Sequence, residues 1–280
     1  MSIPFGTSLL SGFLFLLVGI AVGKKTFVDS VDVTLENAHT KSAIFYLSSM
    51  FLLVCFAVGV LFIRNDTFLA QTPLCFQKFS TLFVWSMFSV LITFASGYIF
   101  SLAFLLKKQM YTYLPSLLLL NILFFILFFR VNQPISSLVS SRPPQKRGFL
   151  QSTSYSCTSA SIATIALRYG KDIDEKKVAT ISGLTKFGAT AGQIRYTLDN
   201  LGLEYKNIIN THSKLKQIPP PALIFIDHPS VGKEGHAVVY EGYDEGRYQI
   251  WDPLQGERSI SAEQMEKIWH GNGVSAHKRK

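Results

Sequence analysis

The chain has 280 residues, of which 48% are apolar and only 16% charged, well under the quarter usual in a soluble protein. Its net charge of +9 is spread over both halves, with eight basic and four acidic side chains in the first 130 residues and nineteen and fourteen in the remainder. That balance suits contact with anionic lipid and, with no recognition motif beside it, argues against nucleic-acid binding. No GxxxxGK[ST] loop, no GxGxxG and no zinc-type Cys/His spacing is present, so the pattern calls for no nucleotide, dinucleotide or metal cofactor.

In chain order, four charge-free apolar stretches come first: Ile3 to Gly23, Ala43 to Ile63, Phe79 to Leu106 and Tyr113 to Phe129. Each is long enough to cross ~30 Å of hydrocarbon, and each is stopped by basic residues such as Lys24, Arg64, Lys107 or Arg130. Residues 1–130 are thus expected to form a four-helix membrane domain. The first stretch has no Lys or Arg before it and no evident cleavage site after it, so it reads as an anchor rather than a signal peptide. An even number of spans puts both ends of the chain on one side, and the basic loops do not choose that side; the uncharged start facing Lys24 and Lys25 leans outward. No span holds an Asp, Glu, Lys, Arg or His, so anchoring is favoured over conduction or transport. Cys55 falls in a span, Cys75 in a loop and Cys157 in the second half, which suggests no disulfide framework.

Residues 131–147, with Pro134 and the Arg142-Pro143-Pro144 turn, read as a linker, and a second domain is expected over 148–280. Helices are expected from Thr158 to Tyr169, from Asp174 to Ile181 and from about Ala191 to Leu201, with Gly170 and Gly202 as stops. Strands follow at Tyr205 to Ile209, Ala222 to Asp227, His236 to Tyr243 and Arg247 to Asp252. Ser261, with Gln264 three residues on, offers an N-cap for a closing helix to Trp269, and His277 to Lys280 reads as a solvated tail. Helices first and an antiparallel sheet second is an α+β arrangement.

A lone cysteine is more often a small buried hydrophobe than a nucleophile. Cys157, however, opens a helix, where the positive end of the dipole favours the reactive thiolate, and small neighbours leave it accessible. A thiolate nucleophile needs a histidine and a polar group to orient it. His236 and Asp252 fill these roles if Asp244-Glu245-Gly246 is a three-residue loop, because Asp252 then lies opposite Val238 on the sheet face of His236. A two-residue turn would send Asp252 to the other face. Taken singly, His236 is as readily a hydrogen-bonded strand residue and Asp252 a turn residue before Pro253. His228 is the reserve histidine, and Gln151 can offer an amide N–H to an oxyanion beside the backbone N–H of Cys157.

Together these residues resemble the bacteriocin-processing cysteine peptidases, the double-glycine leader peptidases of papain-like fold. The resemblance covers roughly Leu150 to Gly273: the six-residue step from Gln151 to Cys157, the glycine turn Gly188 to Gly192, Gly235-His-Ala-Val-Val-Tyr, Trp251-Asp-Pro-Leu-Gln-Gly256 and Trp269-His270-Gly271. It implies Cys157 as nucleophile, His236 as acid and base, Asp252 as its orienting partner and Gln151 as oxyanion donor. Ser156 and Thr158 stand where the family often has an acidic residue and a glycine, and the chain has spans before the peptidase and no ATPase. The expectation is a multi-pass thiol peptidase of the bacterial cell membrane, cutting a peptide or precursor leader, alone or beside a separate transporter. The alternative is a non-catalytic module that docks a leader for such a transporter.

Overall fold

The computed structural model describes residues 133–186, 188–208 and 215–279, together with 72–74, 77, 78 and scattered positions between 14 and 130. The chain divides into two compact units, one of residues 1–71 and 80–130, the other of 72–79 and 131–280.

In the first unit, residues 89–98 are helical. Thr93 Oγ1 donates to the carbonyl of Ser89 at 2.8 Å, and Asn121 Nδ2 donates to Ser96 Oγ at 2.8 Å. Gly19 lies against the backbone of Phe94, where a Cβ would strike its carbonyl oxygen. Among the described residues no helix is long and apolar enough to cross a membrane. The four expected spans lie largely outside the described residues.

The second unit is α+β. Three helices, α1 (Cys157–Arg168), α2 (Glu175–Ser182) and α3 (Ala191–Asn200), precede a sheet formed by β1 (Leu203–Ile208), β2 (Ala222–His228), β3 (Gly232–Asp244), β4 (Arg247–Asp252), β5 (Gly256–Ser261) and β6 (Trp269–Lys278), with α4 (Ala262–Ile268) between the last two. Local signals set the helix ends. Asp174 caps α2 by accepting from the N–H of Lys177, and Gly183 ends it in the left-handed region at φ 65°. Thr190 and Gln193 form a reciprocal capping box on α3, and Ser261 caps α4.

The strands run in the order β1-β6-β2-β3-β4-β5, and every pair is antiparallel. Side chains alternate across the sheet, so Leu223, Ala237 and Val239 join the core with Ile162, Ile165 and Ala166 of α1. Ile224, Val238 and Tyr240 join the opposite core with Met265 of α4 and Trp269. This two-sided burial explains the unbroken apolar run at 237–240.

Three expectations are corrected, and one unexpected strand is added. Residues 134–139 do not behave as a linker: Ile135 and Val139 are buried with Ala179 and Leu184, and the N–H of Ile135 donates to the carbonyl of Leu184 at 2.9 Å. Gly256–Ser261 is a strand that polar alternation concealed. His277 and Lys278 are no free tail, because β6 pairs with both β1 and β2. Glycines hid that strand, yet Gly273 is required there, since a Cβ would strike the carbonyl oxygen of Leu223. Finally, the β3–β4 turn has two central residues, Glu245 and Gly246, both at positive φ, with Asp244 opposite Arg247.

That shorter turn alone would have put Asp252 on the wrong face. The register, however, shifts between Tyr240 and Gly242, leaving Glu241 as an extra residue, and the pairing Val239 with Trp251 then carries Asp252 opposite Val238. The bulge restores what the turn removes. Arg168, the last residue of α1, holds the bulge residue: its Nε donates to Glu241 Oε1 at 2.8 Å and its Nη2 reaches the same oxygen.

Candidate active site

Cys157 is the first residue of α1 and is partly exposed. The loop before it is folded on itself by Ser156, whose Oγ donates to the carbonyl of Thr153 and accepts from its N–H at 3.1 Å. α1 lies on β3 through Ser161, whose Oγ donates to the carbonyl of Ala237 at 3.0 Å in the buried interface. That bond fixes the start of α1 beside the start of the buried part of β3, where His236 stands.

His236 is 2% exposed and Asp252 is 1% exposed. His236 Nε2 lies 2.8 Å from Asp252 Oδ1, which leaves Nδ1 for the thiol. Asp252 is held further by the N–H of Leu254 on Oδ1 at 2.9 Å and by Arg258 Nη1 on Oδ2 at 3.0 Å. Burial alone would raise the Asp252 carboxyl, but His236, the Leu254 N–H and Arg258 outweigh it and bring its pKa down to about 2. Burial likewise opposes the charged imidazole of His236, yet hydrogen bonds to Asp252 and Cys157 raise its pKa to about 9. For Cys157, burial works against the thiolate, and the bond to His236, the backbone N–H of Ala237 and the imidazolium charge together hold the thiol below its ordinary range. The arrangement favours a thiolate–imidazolium pair over a neutral thiol and imidazole.

Gln151 is tied to the Asp252 turn, its N–H donating to the carbonyl of Pro253 at 2.8 Å. Its side-chain Nε2 donates to the carbonyl of Thr153 at 2.8 Å, so one amide hydrogen stays within the loop and the second remains for another acceptor. His228, the reserve histidine, packs its ring on that of His236 at 5.1 Å between centroids, and its Nδ1 is 2.8 Å from Ser230 Oγ. It walls the imidazole rather than contacting the thiol. The structure therefore brings Cys157, His236 and Asp252 together, with Gln151 on the adjoining loop.

Three supporting residues escaped the sequence reading. Arg258 reaches Asp252 only because β4 and β5 pair, with Asp252 opposite Gly256. Glu175, 2% exposed at the start of α2, accepts from the N–H of Ser152 at 3.1 Å and so braces the loop that carries Gln151. Burial raises its pKa, against hydrogen bonds from Ser156 and Ser152. Trp251 Nε1 donates to the carbonyl of Phe149 at 3.0 Å, joining the strand of Asp252 to the same loop. Only the Trp-Asp-Pro stretch carried a trace of this in the sequence.

A cysteine at a helix start facing a strand-borne histidine, itself held by a buried carboxylate, defines the papain-like class of cysteine peptidase. Residues 146–280, a little under half of the chain, match the Peptidase C39 family, a family of cysteine peptidases. An uncharacterized protein of Methanothermobacter thermautotrophicus is 25% identical over 123 residues, which are 44% of this chain and 82% of that protein. The colicin V secretion/processing ATP-binding protein CvaB of Escherichia coli is 27% identical over 121 residues, 43% of this chain and only 16% of CvaB. Among solved structures, a double glycine motif protease from an AMS/PCAT transporter, in complex with the leader peptide, matches at 25% identity and a TM-score of 0.42, over 48% of this chain and 96% of that one. The peptidase domain of Streptococcus ComA matches at 21% identity and a TM-score of 0.43, over 48% and 99%.

Proposed function

We propose that the chain is a membrane-anchored thiol peptidase that cuts a peptide or precursor leader near the bilayer, with Gly-Gly leaders as the first substrates to consider. The observation that carries this reading is the 2.8 Å bond from His236 to Asp252 behind a thiol held below its ordinary range. Cys157 Sγ attacks the scissile carbonyl carbon, and the C–N bond breaks as His236 gives its proton to the leaving amine. The resulting thioester is opened by water, whose proton returns to His236, and the thiolate is regenerated. The backbone N–H of Cys157 and the second amide hydrogen of Gln151 serve the oxyanion. Neither a metal nor a nucleotide enters these steps.

The processing role comes from the name of CvaB, of which this chain spans a small part, and a separate transporter as partner is proposed on the same ground. Anchoring rests on the four apolar stretches, and the assignment to a bacterial cell membrane on the resemblance to bacteriocin-processing peptidases. The experiment is cleavage mapping of a peptide library containing Gly-Gly leaders, with the full-length protein in detergent beside Cys157→Ala. Cleavage lost in the variant supports the reading. A folded protein that binds leaders without cutting them would instead leave a docking module.

A further inference from the structure

We infer that the catalytic domain is assembled from two separated pieces of chain, and that the short piece, residues 72–79, is a fixed clamp on α3. Both pieces fall in one compact unit. Gln77 is 1% exposed and its Oε1 accepts from Nε of Arg195, itself 1% exposed, at 2.8 Å. Lys78 places its ammonium 4.6 Å from the ring centre of Tyr196, one residue further along α3.

Two features show that α3 is shaped to be covered. A buried guanidinium is costly on a helix face unless acceptors meet it, and Gln77 supplies one. Gly192 sits inside α3, where alanine is the better helix former, and it is not at positive φ; a Cβ there would come within 2.9 Å of both the Cβ and the carbonyl oxygen of Gln77. Glycine at 192 is therefore explained by space and not by backbone conformation. The clamp is also folded in itself, with Gln77 Nε2 on the carbonyl of Thr72 at 2.8 Å and the N–H of Gln77 on that of Pro73 at 3.1 Å.

The inference extends the anchoring reading above, since the clamp and residues 131–280 must lie on one side of any bilayer. Residues 80–130 then leave that side and return, crossing an even number of times. For the test, the three native cysteines of the full-length protein are changed to alanine and Gln77→Cys is paired with Gly192→Cys, close enough for a disulfide after a small shift. Oxidation should join the two, so that a protease site engineered between residues 107 and 112 yields fragments that separate only on reduction. Unjoined fragments from a protein that melts like its parent would overturn the clamp, whatever its catalytic activity. Independently, Pro73→Cys and Lys278→Cys, introduced singly into cells, should meet an impermeant maleimide from the same face. Labelling from opposite faces overturns the inference even if the disulfide variant fails to fold.

Discussion

At the scale of the residue, the charge state of the site governs its pH dependence. Thiolate and imidazolium coexist between the lowered pKa of Cys157 and the value of about 9 for His236. The rate kcat/KM for a peptide should therefore trace a bell whose alkaline limb lies near 9, as His236 loses its proton; an alkaline limb near 6.5 would rule out the ion pair. Stability follows the same groups. The raised His236 contributes fully below its ordinary 6.5 and loses that contribution as pH rises through about 9, and the lowered Asp252 contributes above its ordinary 3.8 and loses it as pH falls towards about 2. Thermal melts should fall as pH drops below 3.8, where Asp252 loses its contribution, whereas towards 9 the lowered Cys157 thiol gains stability with rising pH and offsets the loss at His236. Arg258→Ala removes one charge-assisted bond from the orienting carboxylate and should lower kcat about three- to tenfold with KM little changed, and Arg258→Lys should recover part of it. The grouping of Cys157, His236 and Asp252 was legible only jointly, since each taken singly has an ordinary structural reading. Arg258 was not, because its role exists only through a strand pairing that polar alternation concealed.

Within the elements, the decisive feature is the Glu241 bulge. The sequence reading reached the correct face for Asp252 through a three-residue turn, whereas the structure reaches it through a two-residue turn and one extra residue upstream. Two parity changes cancelled, and neither is visible in a pattern of apolar residues, since both Tyr240 and Tyr243 remain compatible with either register. Deleting Glu241 should rotate the end of β4 relative to His236 and abolish cleavage, while Glu241→Gln keeps the bulge and should retain most of it; peptide hydrolysis by both variants checks this. Helix ends were read well because caps are local, as at Asp174, Gly183 and Ser261. Thr164 shows what was not local. It accepts from the N–H of Phe149 and donates to the carbonyl of Ala160, both at 2.9 Å and fully buried, so Thr164→Val should cost about 1–3 kcal/mol in denaturant melts.

For the whole molecule, sequence composition separated an apolar first half from an α+β second half, but it drew the boundary as a single cut. Residues 72–79 cross that cut because a short segment of mixed polarity between two apolar stretches carries no sign of what it will pack against. Gln77→Ala, which removes one acceptor from the buried guanidinium of Arg195, should lower the melting temperature of the full-length protein by an amount equivalent to about 1.5–3 kcal/mol. The order of the sheet has a consequence in time. Ribosomes deliver β1 to β5 before β6, yet β6 occupies the second place in the sheet, between β1 and β2. Until it arrives β1 has no neighbour, and β2 stands as an open edge beside the strand that bears His236. A nascent chain that already carries Cys157, His236 and Asp252 thus still has a split sheet, which closes only when residues 269–278 slot into the gap.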